Sequence, residues 1–325
     1  MNLKDTIRID LNKNTKPVYY IKAIIKLLTP RFFYKRKLPK ILSGINDTNR
    51  EYIEKRVAYY NKLDTPYAIN ARFSSSEDFI STEKKKTYFF DMVEYLKYFS
   101  CNAKIAYLFG DITEVPEIPS IVKSRPISQE NQNSVLLKLD KVRHFIFLTK
   151  DIPFHDKKDL LVWRGKAHQE HRQYFLEKFY THPLCDVGQI IKNSDKDPSA
   201  VKWVKEKLSL KKQLEYKFIL AIEGNDVASN LKWVMSSNSL AFMTKPKYET
   251  WFMEGTLIPN FHYVLLKDDY SDLEEKINYY ATHIQEALSI IKNAHEYIEQ
   301  FKDKQREDII SILVLDKYFR LQNNA

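Results

Sequence analysis

Three apolar runs in the second half of the chain are each followed by charged residues that could line a ligand site. The runs and these residues are 216–222 with Glu223 and Gly224, 240–243 with Lys245, and 263–266 with Lys267. Each run has the length of a buried strand, and ligands of parallel sheets bind beyond the carboxyl ends of the strands. Val227, Leu231 and Val234 have helical spacing. We therefore expect a helix after Gly224 whose N-terminal amides suit a phosphate.

Two arginines and one aspartate occupy comparable positions. Arg164 follows the apolar run 160–163, and Arg172 lies in a predicted helix at 167–180, so both are placed to reach an anion. Asp111 follows the predicted strand 103–110. An acidic residue there is a candidate site residue in an open α/β sheet, but a turn aspartate is the commoner explanation. The residues alone leave both interpretations of Asp111 open.

One short pattern resembles a metal site. Asp195 and Asp197 form the Asp-x-Asp pattern of some metal-dependent transferases, within a polar segment that contains a proline. Two carboxylates alone are a poor cage for a divalent ion, so a solvated loop is favoured. His168 and His171 have no further ligands at zinc spacing and are interpreted as surface and packing residues.

The order of the predicted elements indicates the fold that positions these residues. Strands and helices alternate between 214 and 272, which is typical of a parallel sheet with helices on its faces. A polar segment at 150–158 suggests a hinge between two domains. The other expected elements are strands at 103–110 and 143–148, helices at 46–64, 88–99 and 248–253, and two long amphipathic helices within 273–320.

The composition restricts the class of protein. The 325 residues suffice for two domains, six glycines leave no room for a Gly-rich phosphate loop, and two cysteines give no disulfide framework. The sequence predicts no signal peptide and no membrane span, and a reducing cytoplasm is the default. The net charge of +10 favours an anionic partner: nucleic acid, acidic lipid or a phosphorylated substrate. No nucleic-acid-binding module is recognisable.

Residues 17–42 are both basic and apolar. Ile21, Ile24, Ile25 and Leu28 share one helical face, and basic residues follow them. Either this stretch lies on an anionic membrane surface, or it is an ordinary amphipathic helix packed on its own domain. The residues alone thus indicate a basic two-domain α/β protein with an anion-binding second half. A nucleotide-sugar transferase, a phosphate-handling enzyme and a nucleic-acid binder all fit that description.

Residues 100–275 resemble glycosyltransferase family 90, which includes bacterial lipopolysaccharide core-modifying transferases, fungal capsule proteins and animal protein O-glucosyltransferases. The resemblance rests on motifs in a shared order: Gly110-Asp111-Ile112 with Pro116 and Pro119, Trp163-Arg164-Gly165 with Arg172, the segment 215–232, and Pro259-Asn260-Phe261-His262-Tyr263 followed by Lys267 and Ser271-Asp272-Leu273. The segment 224–243 is most similar to the bacterial lipopolysaccharide branch.

The resemblance implies an α/β fold of the GT-B type, with two Rossmann-like domains facing across a cleft and C-terminal helices packing back. The expected domains are an acceptor-side domain at 1–150, against which the helix at 303–325 packs, and a nucleotide-sugar-binding domain at 151–302. The family also implies an inverting transfer from a UDP-hexose. No metal or other cofactor is expected, because cations and helix amides neutralise the leaving diphosphate.

The resemblance also assigns roles to residues. Asp111 is the expected catalytic base for the acceptor hydroxyl, although the family has an arginine where this chain has Gly110. Animal members carry an arginine at the position of Asn230, so Ser229, Asn230 and helix amides are expected to share the diphosphate. The full set of expected donor-binding residues is Arg164, Gly165, Arg172, Glu223, Asp226, Ser229, Asn230 and Lys232.

We therefore predict an inverting hexosyltransferase that moves glucose or galactose from UDP-glucose or UDP-galactose to a heptose of the lipopolysaccharide inner core. It is expected to be cytoplasmic and peripheral on the anionic inner membrane, without a nucleic-acid partner. Two alternatives remain: a hexosyltransferase for capsule or another surface polysaccharide, and a non-enzymatic basic protein that binds membrane or nucleic acid.

Overall fold

The computed structural model describes residues 8–9, 16–191 and 202–323. The helices are α1 (Lys16–Leu28), α2 (Arg31–Leu42), α3 (Arg50–Tyr60), α4 (Ser76–Thr82), α5 (Thr87–Leu96), α6 (Lys141–His144), α7 (Glu170–Phe179), α8 (Leu210–Gln213), α9 (Leu231–Met235), α10 (Leu273–Thr282), α11 (Ile284–Glu299) and α12 (Lys304–Arg320). The strands are β1 (Arg8–Ile9), β2 (Tyr67–Ala68), β3 (Ser74–Ser75), β4 (Lys104–Ile105), β5 (Tyr107–Leu108), β6 (Ser120–Val122), β7 (Ser124–Pro126), β8 (Ser134–Leu136), β9 (Leu148–Lys150), β10 (Lys158–Gly165), β11 (Cys185–Gln189), β12 (Tyr216–Leu220), β13 (Leu240–Met243), β14 (Tyr248–Thr250), β15 (Val264–Leu265) and β16 (Gln322–Asn323).

The chain forms two compact units. The sheet unit contains Phe145–Pro246 and Thr256–Glu299, together with β1. The helix-rich unit is drawn from Leu11–His144, Lys247–Gly255 and Gln300–Ala325. The assignment of an acceptor-side domain to 1–150 and a nucleotide-sugar-binding domain to 151–302 stays a prediction.

The sheet unit is built on five parallel strands in the order β11-β10-β12-β13-β15. Numbered along the chain from β10, this is the order 2-1-3-4-5 of a doubly wound sheet. The chain leaves β10 for β11 on one side and later returns to β12 on the other side. In such sheets the ligand crevice lies where the order reverses, here at the carboxyl ends of β10 and β12.

The central strands β12 and β13 of this sheet are mainly apolar. All residues of β12 and β13 are buried, the pattern of strands covered on both faces. Phe218 and Phe242 of these strands share one buried cluster with residues of α7, α10 and α11. Lys217 is the charged exception in β12, and its ammonium group lies 2.5 Å from Asp159. The predicted strands at 160–163, 216–222, 240–243 and 263–266 are thereby confirmed, as is the mixed α/β class.

The helix-rich unit contains α1 to α6, α12 and a three-stranded parallel sheet in the order β5-β6-β8. Buried charge pairs hold its segments together. Glu307 of α12 binds Arg56 of α3 at 3.0 Å and Lys138 at 2.8 Å, and it accepts a hydrogen bond from the indole of Trp251 at 2.6 Å. A buried carboxylate is costly unless it is paired, so these contacts fix α12 against the first part of the chain.

The segment 248–253 does not form the predicted helix. Residues 248–250 form β14, which pairs antiparallel with β7, so that Glu249 lies opposite Arg125. The guanidinium of Arg125 is fully buried and donates to Glu249 at 2.7 Å. Tyr and Thr favour extended backbone, and the strand places the carboxylate beside this buried cation. The aromatic spacing alone did not distinguish a helix from a strand.

The helix predicted after Gly224 begins later and is short. Residues 225–230 form turns, and α9 covers only five residues. Asn230 precedes α9, but its side-chain amide donates to the carbonyl of Leu220 at 2.9 Å and makes no capping hydrogen bond with the helix. The side chain therefore ties the turn to β12.

Three other predictions differ from the structure. The predicted strand 143–148 contains the end of α6 and only the first residue of β9, whereas 103–110 forms two short strands, β4 and β5. The tail contains three helices, because the helical backbone is interrupted at His283 between α10 and α11. The predicted helices at 46–64, 88–99 and 167–180 are present as α3, α5 and α7.

Candidate active site

Arg172 connects the two loops that meet at the order reversal of the sheet. Its side chain donates to the carbonyl of Lys166, just beyond β10, at 2.8 Å. It also donates to the carbonyls of Ile222 and Glu223, just beyond β12, at 3.1 and 2.7 Å. The planar guanidinium has five donors in a fixed geometry, so one side chain sets the spacing of both loops.

Gly224 leaves room for this arginine. A Cβ atom at Gly224 would lie 3.3 Å from a terminal nitrogen of Arg172. Gly165, at the end of β10, has a different neighbour, because a Cβ atom there would lie 2.5 Å from the ring of Trp163. Both glycines therefore allow close packing at the carboxyl edge of the sheet.

Arg164 lies on β10 and points toward β11. Its guanidinium donates to the carboxylate of Asp186 at 2.7 Å and to the carbonyl of Asp186 at 2.6 Å. Only 4% of the Arg164 side chain is exposed. Burial alone would raise the pKa of Asp186, but hydrogen bonds from Tyr216, Arg164 and Lys205 outweigh it and lower that pKa to about 2. Arg164 thus joins β10 to β11, and its expected role in phosphate binding stays a prediction.

The remaining expected donor residues follow β12 and have unlike environments. Glu223 is half-buried, and its carbonyl accepts hydrogen bonds from His171 and Arg172. Asp226 and Lys232 are buried, with 3% and 1% of their surfaces exposed, whereas Ser229 is exposed. The structure therefore brings Gly165, Arg172 and Glu223 to one edge of the sheet, with Gly224 between them. It places Lys232 in the interior of the unit.

Asp111 lies in the helix-rich unit, three residues beyond β5. Gly110 precedes it with a φ of 121°, a conformation that favours glycine. This backbone explains why the chain has no arginine at position 110. One carboxylate oxygen of Asp111 accepts from Lys123, which directly follows β6, at 2.5 Å. The carboxylate is about one-third exposed, whereas the lysine side chain is 2% exposed. Asp111 is thus an accessible carboxylate held by a buried cation.

Sequence reasoning missed Lys123 and Asp186. The prolines at 116, 119 and 126 indicated a loop, so the short buried strands β6 and β7 were not predicted. Strand β11 has no apolar run, because Asp186, Gly188 and Gln189 interrupt it. The available signal was a lysine directly after the apolar pair 121–122, since a lysine that is buried with its strand is costly without an acidic partner.

Metal ligation has no candidate within the described ranges. There, no group of three or more His, Cys, Asp or Glu side chains is arranged to hold a metal ion. Asp195 and Asp197 lie outside the described residues.

The sheet unit thus has Arg172, Gly165 and Glu223 at the carboxyl edge of a doubly wound sheet, and the helix-rich unit contains the ion pair of Asp111 with Lys123. A family model for glycosyl transferase family 90 matches residues 136–324. The chain belongs to this family and is a glycosyltransferase, which confirms the resemblance found in its motifs.

A relative from Dichelobacter nodosus is described as O-glucosyltransferase LpsA. It is 47% identical to this chain over 272 residues, which cover 84% of each protein. Across the described segments, no helix has both the length and the apolar composition needed to cross a membrane.

Proposed function

We propose that this glycosyltransferase moves glucose from UDP-glucose to a heptose of the lipopolysaccharide inner core, with inversion at the anomeric carbon. The identity of 47% to a protein named O-glucosyltransferase carries the choice of glucose over galactose. The acceptor rests on the motif resemblance to the lipopolysaccharide branch, and the net charge of +10 suits a phosphorylated saccharide. A GT-B arrangement and a position on the cytoplasmic face of the inner membrane belong to the same proposal.

The proposed donor site is the carboxyl edge of the sheet between β10 and β12. Ligands of doubly wound sheets bind there, and the positive charge of Arg172 is held at this edge by three carbonyls. Exposed Lys245 and Lys267 follow β13 and β15. A diphosphate at this edge would gain charge-assisted hydrogen bonds from such cations.

Asp111 is the proposed catalytic base. The acceptor oxygen forms a bond to the anomeric carbon while the bond from that carbon to the UDP oxygen breaks, and the electron pair leaves with UDP. The hydroxyl proton passes to the Asp111 carboxylate. An ammonium group at 2.5 Å favours the ionised carboxylate, the form that can accept a proton. The same ion pair fixes the orientation of the carboxylate, so positioning contributes much of the rate.

An assay of UDP release tests the substrate assignment. Purified protein is given inner-core lipopolysaccharide with UDP-glucose or UDP-galactose, and the anomeric configuration of the product is read by NMR. We expect UDP-glucose to be preferred and the product linkage to be β. Preference for UDP-galactose, or a retained α linkage, would overturn the corresponding part of the proposal. Transfer only to capsular or other surface polysaccharides would replace the acceptor.

Activity in excess EDTA tests the absence of a metal requirement. We expect transfer to continue, because the proposed scheme neutralises the diphosphate with protein cations. Loss of transfer that added Mg²⁺ or Mn²⁺ restores would contradict this part of the proposal.

A further inference from the structure

Helices α1 and α2 carry a concentrated set of exposed apolar side chains. Among the described residues, 15 large hydrophobic side chains are exposed, and seven of them lie between positions 18 and 33. We call this set the α1–α2 face; its members are Val18, Ile21, Ile24, Ile25, Leu28, Phe32 and Phe33. Leu28 and Phe32 are 74% and 65% exposed. Contiguous apolar surface of this kind is unusual on a soluble monomer and marks an interaction site.

The opposite side of α1 is already packed against α5. The hydroxyl of Tyr19 donates to the carboxylate of Asp91 at 2.8 Å, and Lys26 forms an ion pair with Glu94. The ring of Tyr20 packs edge-on against Phe90. The inner side of α1 thus carries the polar and aromatic anchors, and the isoleucines occupy the outer side. An ordinary amphipathic helix has the reverse arrangement.

The junction between α1 and α2 is also fixed. The ammonium group of Lys97 donates to the carbonyls of Lys26, Leu27 and Thr29 at the end of α1. The guanidinium of Arg31 donates to the carbonyls of Leu96 and Phe99 at 3.0 and 3.1 Å. The exposed side chains of both helices therefore project from a preformed surface.

The charged residues of the segment that carries this face all have one sign. Residues 16–46 contain eight basic residues and no acidic residue. Six of the basic residues are exposed: Lys16, Lys22, Lys35, Arg36, Lys37 and Lys40. Exposed apolar side chains beside a basic cluster complement a bilayer surface, where acyl chains lie beneath anionic headgroups.

We propose that the α1–α2 face docks the protein on a membrane surface that contains anionic phospholipid. The apolar side chains enter the headgroup boundary and the basic residues contact lipid phosphates, while α1, with 13 residues, is too short to span the bilayer. The inference rests on the membrane position included in the proposed function, but it uses no residue assigned to sugar transfer. Its test therefore does not depend on the sugar or the acceptor.

Vesicle co-sedimentation of the full-length protein tests the proposal. We expect binding to vesicles of phosphatidylcholine with phosphatidylglycerol, weaker binding to phosphatidylcholine alone, and release at high salt. The variant Ile25→Ser/Leu28→Ser should bind the mixed vesicles about tenfold more weakly, because two apolar side chains no longer enter the bilayer. The variant Lys35→Gln/Lys37→Gln should weaken binding to the mixed vesicles only.

The control variant Ile258→Ser/Leu288→Ser removes two exposed apolar side chains from the sheet unit and should bind like the wild type. Circular dichroism and the melting temperature verify that all variants are folded. Equal binding by the wild type and the α1–α2 variants overturns the proposal. So does a dimer, measured by light scattering, that Ile25→Ser/Leu28→Ser dissociates while vesicle binding is absent, since a second copy would then cover the face.

Discussion

The carboxylate of Asp111 has two roles, because it stabilises the buried charge of Lys123 and is the proposed catalytic base. The lysine side chain is 2% exposed, so its charge is stabilised by the aspartate at 2.5 Å. The aspartate is the more exposed partner and is accessible to a substrate hydroxyl. One residue pair thus contributes to the stability of the helix-rich unit and to the proposed proton transfer.

Replacement of Asp111 by Asn should therefore have two effects. We expect kcat to fall by about 10²–10⁴, the usual contribution of a general base, while the affinity for UDP stays unchanged. The variant should also lose about 1–3 kcal/mol of stability, because the buried ammonium group of Lys123 loses one anionic partner. Single-turnover kinetics, UDP titration calorimetry and urea denaturation measure the three quantities.

The double variant Asp111→Asn/Lys123→Met is the matched control. It removes the buried charge as well as the base, so it should recover part of the stability while transfer stays low. Wild-type transfer by Asp111→Asn would show that this carboxylate is not the base.

Replacement of Arg172 tests the proposed donor site at the carboxyl edge of the sheet. In Arg172→Lys the charge remains, but an ammonium group cannot reproduce the three carbonyl contacts of the guanidinium. We expect UDP to bind about tenfold more weakly, because the loops beyond β10 and β12 lose their fixed spacing. Lys178→Gln, at an exposed position of the same helix, should bind UDP like the wild type. Unchanged UDP affinity in Arg172→Lys would exclude this edge of the sheet as the diphosphate site.

At the scale of elements, the sequence predicted the interior of the sheet better than its edges. Strands β12 and β13 are buried on both faces, so their residues form apolar runs that can be recognised directly. Strand β11 is polar because Asp186 accepts hydrogen bonds from Arg164 on the adjacent strand β10 and from Tyr216 on β12, and such tertiary contacts leave no local pattern in the sequence. Strand β14 was mistaken for a helix because its identity depends on pairing with β7, more than 100 residues earlier in the chain.

The candidate site was predictable only in part: the residues near strand ends could be predicted, but their partners on other strands could not. The positions of Gly165 and Glu223 followed from strand ends, since the carboxyl edge of a parallel sheet is set by its strands, and that of Arg172 followed from the helix predicted after the first of these ends. Partners such as Lys123 and Asp186 depend on which strands become neighbours. That information lies in the packing of the whole unit.

Contacts between strands also predict that the stability of the fold depends on pH. The pKa of Asp186 is lowered to about 2 by donors on β10 and β12 and by Lys205. The ionised form is therefore favoured in the folded state, and its contribution to stability is complete above a pH of about 4 and is lost as the pH falls toward 2. For this partly exposed group the contribution is about 1 kcal/mol after allowance for solvent screening.

The variant Asp186→Asn tests this contribution. It should be less stable than the wild type at pH 7, and the difference should shrink as the pH falls below 4. Urea denaturation at a series of pH values gives the free energy of unfolding for both proteins. A difference that is independent of pH would contradict the assignment. Asp47→Asn, at an exposed position of the helix-rich unit, serves as the control for general acid effects.

At the scale of the whole molecule, the helix-rich unit depends on segments distant from it in sequence. Arg56, Arg125 and Lys138 are buried, and their carboxylate partners, Glu249 and Glu307, come from the last third of the chain. A protein made of residues 1–150 alone would contain these cations without their anions. Uncompensated buried charges destabilise by several kcal/mol each.

We therefore expect the fragment 1–150 to lack native tertiary structure, as judged by near-UV circular dichroism and amide exchange. Co-expression with 151–325, which supplies both glutamates, should restore a folded complex. A cooperative thermal transition in the isolated fragment would show that the buried ion pairs are dispensable. Replacing the three cations with Met, Leu and Met in the fragment separates the effect of charge from that of missing packing surface.

The division of the chain into units has a consequence for protein engineering. Within residues 16–323 the backbone passes from one unit to the other four times, near positions 144, 246, 255 and 299. Under the proposal that the helix-rich unit binds the acceptor and the sheet unit binds the donor, a chimera that combines the acceptor specificity of one family member with the donor specificity of another cannot be made with a single junction. It requires the joint transfer of the amino-terminal segment, the short insertion around β14 and the carboxy-terminal helix. Recombination between homologous genes at one site would separate these three pieces, so we expect the two specificities to be inherited together.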